Sequence, residues 1–229
     1  MSGGVNAAAA DILIPVQNRH ASARMLLEGI YRYADFPFHI YVIDNNSADS
    51  AMDLGKIYTR DISVIRNRSD AGWRGAINQG IRLSRNPYIV FMSSAVEVAR
   101  GWLANLIAFL DTHSRIGAVG PLSSNPDDRQ CLSRVRSELV PSLPDFLTDD
   151  LHERNRILSY HYHRTGVLIP GALNFACVAL KRRAVNEVGP LAAGVAKGQD
   201  AEDYCRRMRE AGYVLGLALD TYILRHSDR

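Results

Sequence analysis

The stretch Tyr88–Trp102, YIVFMSSAVEVARGW, decides how the chain is read. It opens as a buried strand over Tyr88–Met92, because a short apolar run rich in β-branched and aromatic residues after Asn86-Pro87 suits a strand covered on both faces. The run then breaks. Ser93 and Ser94 leave the sheet, Glu97 brings a carboxylate to the strand exit, and Gly101-Trp102 opens an amphipathic helix through Leu103, Leu106, Ile107 and Leu110. In an open α/β sheet, ligands bind at the carboxyl ends of the strands, so chemistry is expected at this exit.

Toward the N-terminus the same alternation repeats. Asp11–Val16 reads as a first strand with Gln17-Asn18-Arg19 as its polar exit, followed by a helix over Ser22–Ala34 with Ser22 as its N-cap. His39–Ile43 is a second strand, ending in the turn-forming run Asp44-Asn45-Asn46-Ser47. A weaker helix is expected over Ser50–Thr59. A third strand covers Ile62–Ile65, and a helix from Trp73 carries Ile77, Ile81 and Leu83 up to the restart at Pro87. Toward the C-terminus, Ile116–Val119 is a fifth strand. The fold class is therefore α/β: a doubly wound, mostly parallel sheet with helices on both faces.

Beyond Pro121 the pattern changes. Leu122–Pro144 carries several prolines and few periodic positions, which points to a long irregular excursion. Helices are expected over Asp150–Tyr160, Arg182–Val188 and Glu202–Ala211, the last ended by Gly212. Asn174–Leu180 reads as a central strand. Two short strands, Val214–Leu217 and Thr221–Leu224, lead to Arg225-His226.

Composition narrows the function classes. A chain of 229 residues with 47% hydrophobic content can bury one core, and it is read as a single domain with an elaborated C-terminal part. The net charge of +3 is too small for its length to suggest a nucleic-acid binder. Cys131, Cys177 and Cys205 include no Cys-x-x-Cys pair, which argues against a disulfide framework and a zinc site. The opening MSGGVNAAAAD has neither a charged leader nor a long apolar core, and no apolar run is long enough to span a bilayer. A cytoplasmic protein is expected, with peripheral attachment to a membrane left open.

The exits of the first four strands should share one edge and form one polar cleft. There Asp44 could accept a hydrogen bond from a base N–H, Asn18 and Asn46 could read base or ribose, and Arg66, Arg68 or Arg74 could meet a diphosphate. The plainer reading, that these are ordinary polar turns, stays open on composition alone. A phosphate loop of the G-x-x-x-x-G-K-[ST] type is absent, and the first strand ends in Pro15-Val16-Gln17-Asn18 instead of a G-x-G-x-x-G turn. These gaps weigh against a P-loop NTPase and a dinucleotide dehydrogenase.

ILIPVQNR, VIDNNSADS, IRNRSDAGWRGAINQGI and YIVFMSSAVEVARGWLANLI together resemble an inverting family 2 glycosyltransferase of the GT-A fold. NFACVALKRRAVNEVGPL and QDAEDYCRRMREAGY resemble the acceptor strand and acidic helix of that family, so the resemblance runs from about Asp11 to His226. It implies one domain, 1–229, with a nucleotide-sugar-binding half (1–121) and an acceptor-binding and catalytic half (122–229). It further implies that Pro15, Gln17 and Asn18 line the nucleotide and that Asp44 contacts the base, flanked by Asn46 and Ser47. Gly72, Gly75 and Asn78 fall in the segment that closes over the donor, although Asp70 stands where asparagine is usual. Asp200, Glu202 and Asp203 match the region that supplies the general base, and His226 matches a histidine that helps hold a metal. The first-turn acids also have a simpler reading, as charges favoured by the helix dipole.

The departure from the family lies at the opening stretch. Where aspartates usually hold a divalent cation against the donor diphosphate, this chain has Ser93, Ser94 and Ala95, leaving Glu97 and His226 as poor ligands. A divalent cation, Mg²⁺ or Mn²⁺, is accordingly expected to bind weakly or not at all, with Arg68 and Arg74 as the expected compensating charges. The expected partners are a nucleoside diphosphate sugar and a hydroxyl-bearing acceptor, with no nucleic acid. A catalytically inactive sugar-nucleotide-binding or scaffold protein is the alternative, and a nucleotidyltransferase ranks behind both.

Overall fold

Alternate residues of the central strands face two different apolar layers, and this period of two is what allows helices on both sides of one sheet. The computed structural model describes residues 9–48, 53–145, 148–196 and 198–226. The expectation for the opening segment and the start of the helix expected at Ser50 fall on residues 1–8 and 49–52, outside those described. The first half runs β1 (Ala10–Val16), α1 (His20–Tyr33), β2 (Phe38–Asp44), α2 (Leu54–Ile57), β3 (Ile62–Arg66), α3 (Gly72–Leu83) and β4 (Tyr88–Met92). The second half runs β5 (Val96–Glu97), α4 (Trp102–Asp111), β6 (Ile116–Ser123), α5 (Leu132–Glu138), α6 (Leu151–His161), β7 (Gly166–Ile169), β8 (Cys177–Lys181), α7 (Arg182–Val188), α8 (Asp200–Glu210) and β9 (Val214–Arg225).

The main strand order is β3-β2-β1-β4-β8-β6-β9-β5, with β7 paired to β9. The first four strands in that order are mutually parallel. β8 inserts antiparallel between β4 and β6, and β6 runs parallel to β9. The doubly wound, mostly parallel expectation therefore describes the sheet, with β8 reversed at its centre and β5 and β7 reversed against β9. Ile12, Ile14, Val90 and Met92 pack against α1 and α4 on one face. Leu13, Ile89 and Phe91 pack against α3, α7 and α8 on the other. A third cluster places Leu132, Val135, Leu151 and Leu158 of α5 and α6 against Leu217, Leu219 and Tyr222 of β9.

Several local expectations are corrected. Ser22 is not the N-cap of α1: the helix starts at His20, directly after Asn18 turns the chain with a left-handed φ of 52°. The excursion from Leu122 is partly regular, since β6 continues to Ser123 and α5 follows. The two final strands are one. Between Val214 and Arg225 the partner register jumps from Pro121↔Ala218 to Leu122↔Tyr222, so Leu219–Thr221 form an irregularity within a continuous strand. The break expected between the two strands, residues 218–220, lies inside this one strand, and Asp220 and Thr221 are fully buried.

The pairing of β7 to β9 leaves no room for a side chain at Gly166. A Cβ there would lie 2.6 Å from the Leu217 carbonyl oxygen and 2.3 Å from the Phe109 ring. Gly166→Ala is expected to lower stability by about 1–3 kcal/mol, because backbone must shift to admit the methyl group. Urea unfolding of both proteins measures the difference.

Candidate functional site

The exits of β1, β2 and β3 are bound to one another by side-chain to backbone hydrogen bonds. The Asn18 backbone N–H donates to Ser47 Oγ at 2.9 Å, and Asn18 Oδ1 accepts from the Ala48 N–H at 2.9 Å. Arg66 Nη2 donates to the Ser47 carbonyl at 2.9 Å. Asn45 Nδ2 donates to the Gly72 carbonyl at 3.0 Å, and Asn45 Oδ1 accepts from Asn67 Nδ2 at 2.9 Å. Asn46 stands in the left-handed region with φ 59°, and Gly72 opens α3 with φ 67° while its N–H meets Asp70 Oδ1. Amide side chains recur here because asparagine tolerates that backbone conformation and bridges neighbouring loops.

Asp44 sits at the centre of this network and is fully buried. Its Oδ1 accepts from the Ser47 N–H at 2.9 Å. Its Oδ2 is buried without a hydrogen-bond partner, and Arg66 Nε stands 3.8 Å away. A buried carboxylate oxygen with unused acceptor capacity is costly, and such groups mark places where a partner arrives from outside the fold. Pro15 is half-buried in β1, beside Ile43, while Gln17 and Arg68 are exposed.

At the exit of β4 the backbone is closely held. The Ser93 N–H donates to the Ala176 carbonyl at 2.8 Å, Ser93 Oγ accepts from the Ala95 N–H at 3.2 Å, and the Ala95 carbonyl accepts from the His226 N–H at 2.9 Å. Ser94 and Ala95 are buried. A cleft of about 560 Å³ opens beside Ser93, walled by Trp73, by Asp127–Arg129 after β6, by Ala172–Ala176 before β8, by Asp200–Glu202 and by Arg225.

The three acids of α8 take different positions. Asp200 lines the cleft, and its Oδ1 meets Arg74 Nε at 2.5 Å, while Arg74 Nη2 also donates to the Val195 carbonyl at 2.7 Å. Arg74, expected as a phosphate clamp, thus joins α3 to the segment that leads into α8. Asn78 does the same through two hydrogen bonds to the backbone of Leu191, at 3.0 and 2.9 Å. Glu202 lines the cleft and is exposed. Asp203 accepts from Arg206 at 2.7 Å and Arg207 at 2.9 Å. Burial pushes its carboxyl upward, but the two guanidiniums outweigh burial and hold it below the usual carboxylate range.

Glu97 and His226 meet each other at 2.5 Å, between Glu97 Oε1 and the imidazole Nε2. Glu97 lines a separate depression with Met25, Arg32, Tyr33 and His152, away from the cleft residues. Among the described residues no group of three His, Cys, Asp or Glu side chains is placed to hold a metal ion. The strand exit offers serine hydroxyls and an alanine methyl, a donor set that does not fit a hard divalent cation.

The sequence reading missed Asp127, Asp128, Arg129, Asn174 and Arg225. Asp128 is buried, and its carboxylate joins Ser123 Oγ at 3.0 Å, Arg225 Nη1 at 3.0 Å and Asn174 Nδ2. A signal was present: β6 runs in the same direction as β4, so its exit at Ser124–Gln130 lies on the ligand-binding edge by the same rule applied to the first four strands.

An α/β domain with this strand order and a polar cleft at the carboxyl edge is the class of molecule defined so far. Residues 11–187 match the model of Glycosyl transferase family 2, and the chain belongs to that family. Its curated relatives include the pre-mycofactocin glycosyltransferase of Mycobacterium tuberculosis, 25% identical over 88% of this chain and 39% of that protein. A PGL/p-HBAD biosynthesis glycosyltransferase of Mycobacterium bovis is 26% identical over 44% of this chain and 41% of its own length. The chain thus spans about two fifths of the length of these relatives. Among solved structures, a mannosyltransferase of Pyrobaculum calidifontis in complex with GDP-Man and Mn²⁺ superposes with a TM-score of 0.69 at 16% identity, over 97% of this chain and 57% of that one. GalNAc-T7 with UDP, GalNAc and Mn²⁺ gives 0.70 at 16% identity, over 96% of this chain and 44% of the other. The GT-A fold is shared with both.

Because the folded-state pKa of Asp203 is depressed, its stabilising contribution is complete above its ordinary value of 3.8 and is lost as pH falls through the folded value. Asp203→Asn is expected to be less stable than the parent at neutral pH and to lose less stability on acidification below about pH 4. Thermal midpoints of both proteins between neutral and acidic pH check this.

Proposed function

We propose that this domain binds a nucleoside diphosphate sugar and transfers the sugar with inversion to a hydroxyl acceptor. The observation that carries this reading is that one cleft joins the exit of β4, at Ser93, to the acidic start of α8, at Asp200 and Glu202. A donor laid along the β1–β4 edge would place its base toward Asp44, whose unpartnered Oδ2 suits a ring N–H. The sugar would then face α8. The ligands of the two structural neighbours, GDP-Man in one and UDP with GalNAc in the other, support a donor of this chemical class.

In the transfer, the acceptor oxygen attacks the anomeric carbon as the bond to the diphosphate breaks, and a carboxylate removes the hydroxyl proton. We assign that carboxylate to Asp200, with Arg74 as the positioning residue that fixes Oδ1 and leaves Oδ2 to take the proton. Mn²⁺ accompanies GDP-Man in one neighbour and UDP with GalNAc in the other, but the residues at this strand exit do not fit a divalent cation, and no step here depends on it. The Ser93–Ala95 exit also favours a second reading, a sugar-nucleotide-binding domain without turnover.

Two substitutions test the assignment. Asp44→Asn retains an acceptor for the Ser47 N–H and is expected to weaken nucleoside diphosphate binding at least about tenfold in calorimetry. Asp200→Asn is expected to lower kcat by about 10²-fold or more with little change in donor affinity. Equal turnover in Asp200→Asn and the parent would move the base role to Glu202. Donor binding by the parent without transfer to any hydroxyl acceptor would favour the second reading.

A further inference from the structure

The leaving group of the transfer proposed above is a diphosphate, and its developing charge needs positive charge beside the exit of β4. The exit itself supplies none. Arg74 is bound to Asp200 and to the Val195 carbonyl, and Arg68 is exposed on the segment after β3. Arg225, in contrast, is brought to the exit by backbone pairing. It stands opposite Val96 in the β5–β9 ladder, and the next N–H, of His226, donates to the Ala95 carbonyl at 2.9 Å. Its side chain lines the cleft together with Ser93.

Both members of the ion pair that holds Arg225 line the cleft, and the guanidinium is the more exposed of the two. The Asp128 side chain is 6% exposed and that of Arg225 27%, so the carboxylate is the buried member. Asp128 contacts Nη1 at 3.0 Å and is itself fixed by Ser123 Oγ and Asn174 Nδ2. A guanidinium carries five N–H donors in a rigid fork, so one contact to Asp128 leaves donors for phosphate oxygens. Arg129 lines the same cleft and adds a second guanidinium. Asp200 is matched by Arg74, while Asp127 and Glu202 are exposed to solvent.

We infer that Arg225, anchored by the buried carboxylate of Asp128, is the cation that meets the donor diphosphate at the exit of β4. This rests on the donor-site reading of the cleft given above. It assigns a phosphate-binding role to a residue of the last strand and makes diphosphate binding independent of divalent metal.

The test uses UDP and GDP as probes, with uridine and guanosine as the matching compounds that lack phosphate, all titrated in EDTA. For Arg225→Gln, affinity for the diphosphate that binds the parent is expected to fall roughly 10–100-fold, with affinity for its nucleoside unchanged. Because that variant leaves Asp128 buried without its partner, the double variant Arg225→Gln, Asp128→Asn keeps the network neutral and is expected to show the same selective loss. Arg225→Lys, which keeps the charge without the fork, should lie between. A role confined to holding the strand would lower affinity for nucleoside and diphosphate alike, which overturns the proposal. So would unchanged diphosphate affinity in both glutamine variants, or diphosphate binding by the parent that vanishes in EDTA and returns with Mn²⁺. If the parent binds neither the nucleosides nor the diphosphates under any of these conditions, the donor-site reading itself fails, and this assignment with it.

Discussion

The continuity of β9 is the constraint on which the second half of the molecule depends. One strand of 12 residues pairs with β6 along one side and with β7 and β5 along the other, so three segments distant in sequence take their positions from it. Its irregular middle would be unstable if left open, since unpaired backbone groups are costly when buried. Side chains of α4 and α6 meet them. The Asp220 carbonyl accepts from Ser159 Oγ at 2.8 Å and Asn105 Nδ2 at 3.1 Å, and Asn155 Oδ1 accepts from the Tyr222 N–H at 2.9 Å. The Asp220 carboxylate in turn accepts from the Arg164 N–H at 2.7 Å, and burial pushes its pKa upward despite that bond. The strand therefore reaches the exit of β4 in a fixed register, and Arg225 arrives beside Val96.

Arginine–carboxylate pairs then set the walls of the cleft. Arg74 with Asp200 ties α3 to the start of α8, Arg207 with Asp203 braces the same helix internally, and Arg225 with Asp128 ties the last strand to the exit of β6. Partly buried pairs of this kind add little net stability, because desolvation offsets most of the attraction. Their effect is positional: each joins two elements that the hydrophobic layers alone would leave free to slide. Asp200 lines the cleft with Arg74 beside it, and Arg225 and Asp128 both line it. The same contacts that fix the fold therefore orient the groups available for chemistry.

The first half of the fold was legible because its signals are local. Strand, polar exit and helix repeat in order, and each strand end could be placed on one edge without knowing its neighbours. Asp44 and Ser47 could be placed this way, at the exit of a strand whose apolar run is unambiguous. The second half was less legible because its decisive facts are pairings between distant segments. Nothing within Ser124–Gln130 announces that Asp128 meets Asn174 and Arg225, which lie 46 and 97 positions along the chain. The surroundings of Arg74 could not be read for the same reason: its partner Asp200 is 126 positions away. The join of the two expected final strands was hidden as well, because the register shift that carries β9 through residues 219–221 is set by its pairing with β6.

The exit of β4 differs from a metal-binding exit in more than a missing carboxylate. Ala95 is 4% exposed, its carbonyl is bound by the His226 N–H, and its N–H is bound by Ser93 Oγ. A carboxylate at that position would lie under cover and would need hydrogen-bond donors to offset desolvation. The local geometry is thus consistent with the small side chain, not with a vacant ligand position. Glu97 and His226 point the same way, since they bond each other and Glu97 faces the depression beside α1. A surface arranged like this can meet a diphosphate through guanidinium N–H groups supplied from β9, because those need no further ligands from the exit itself.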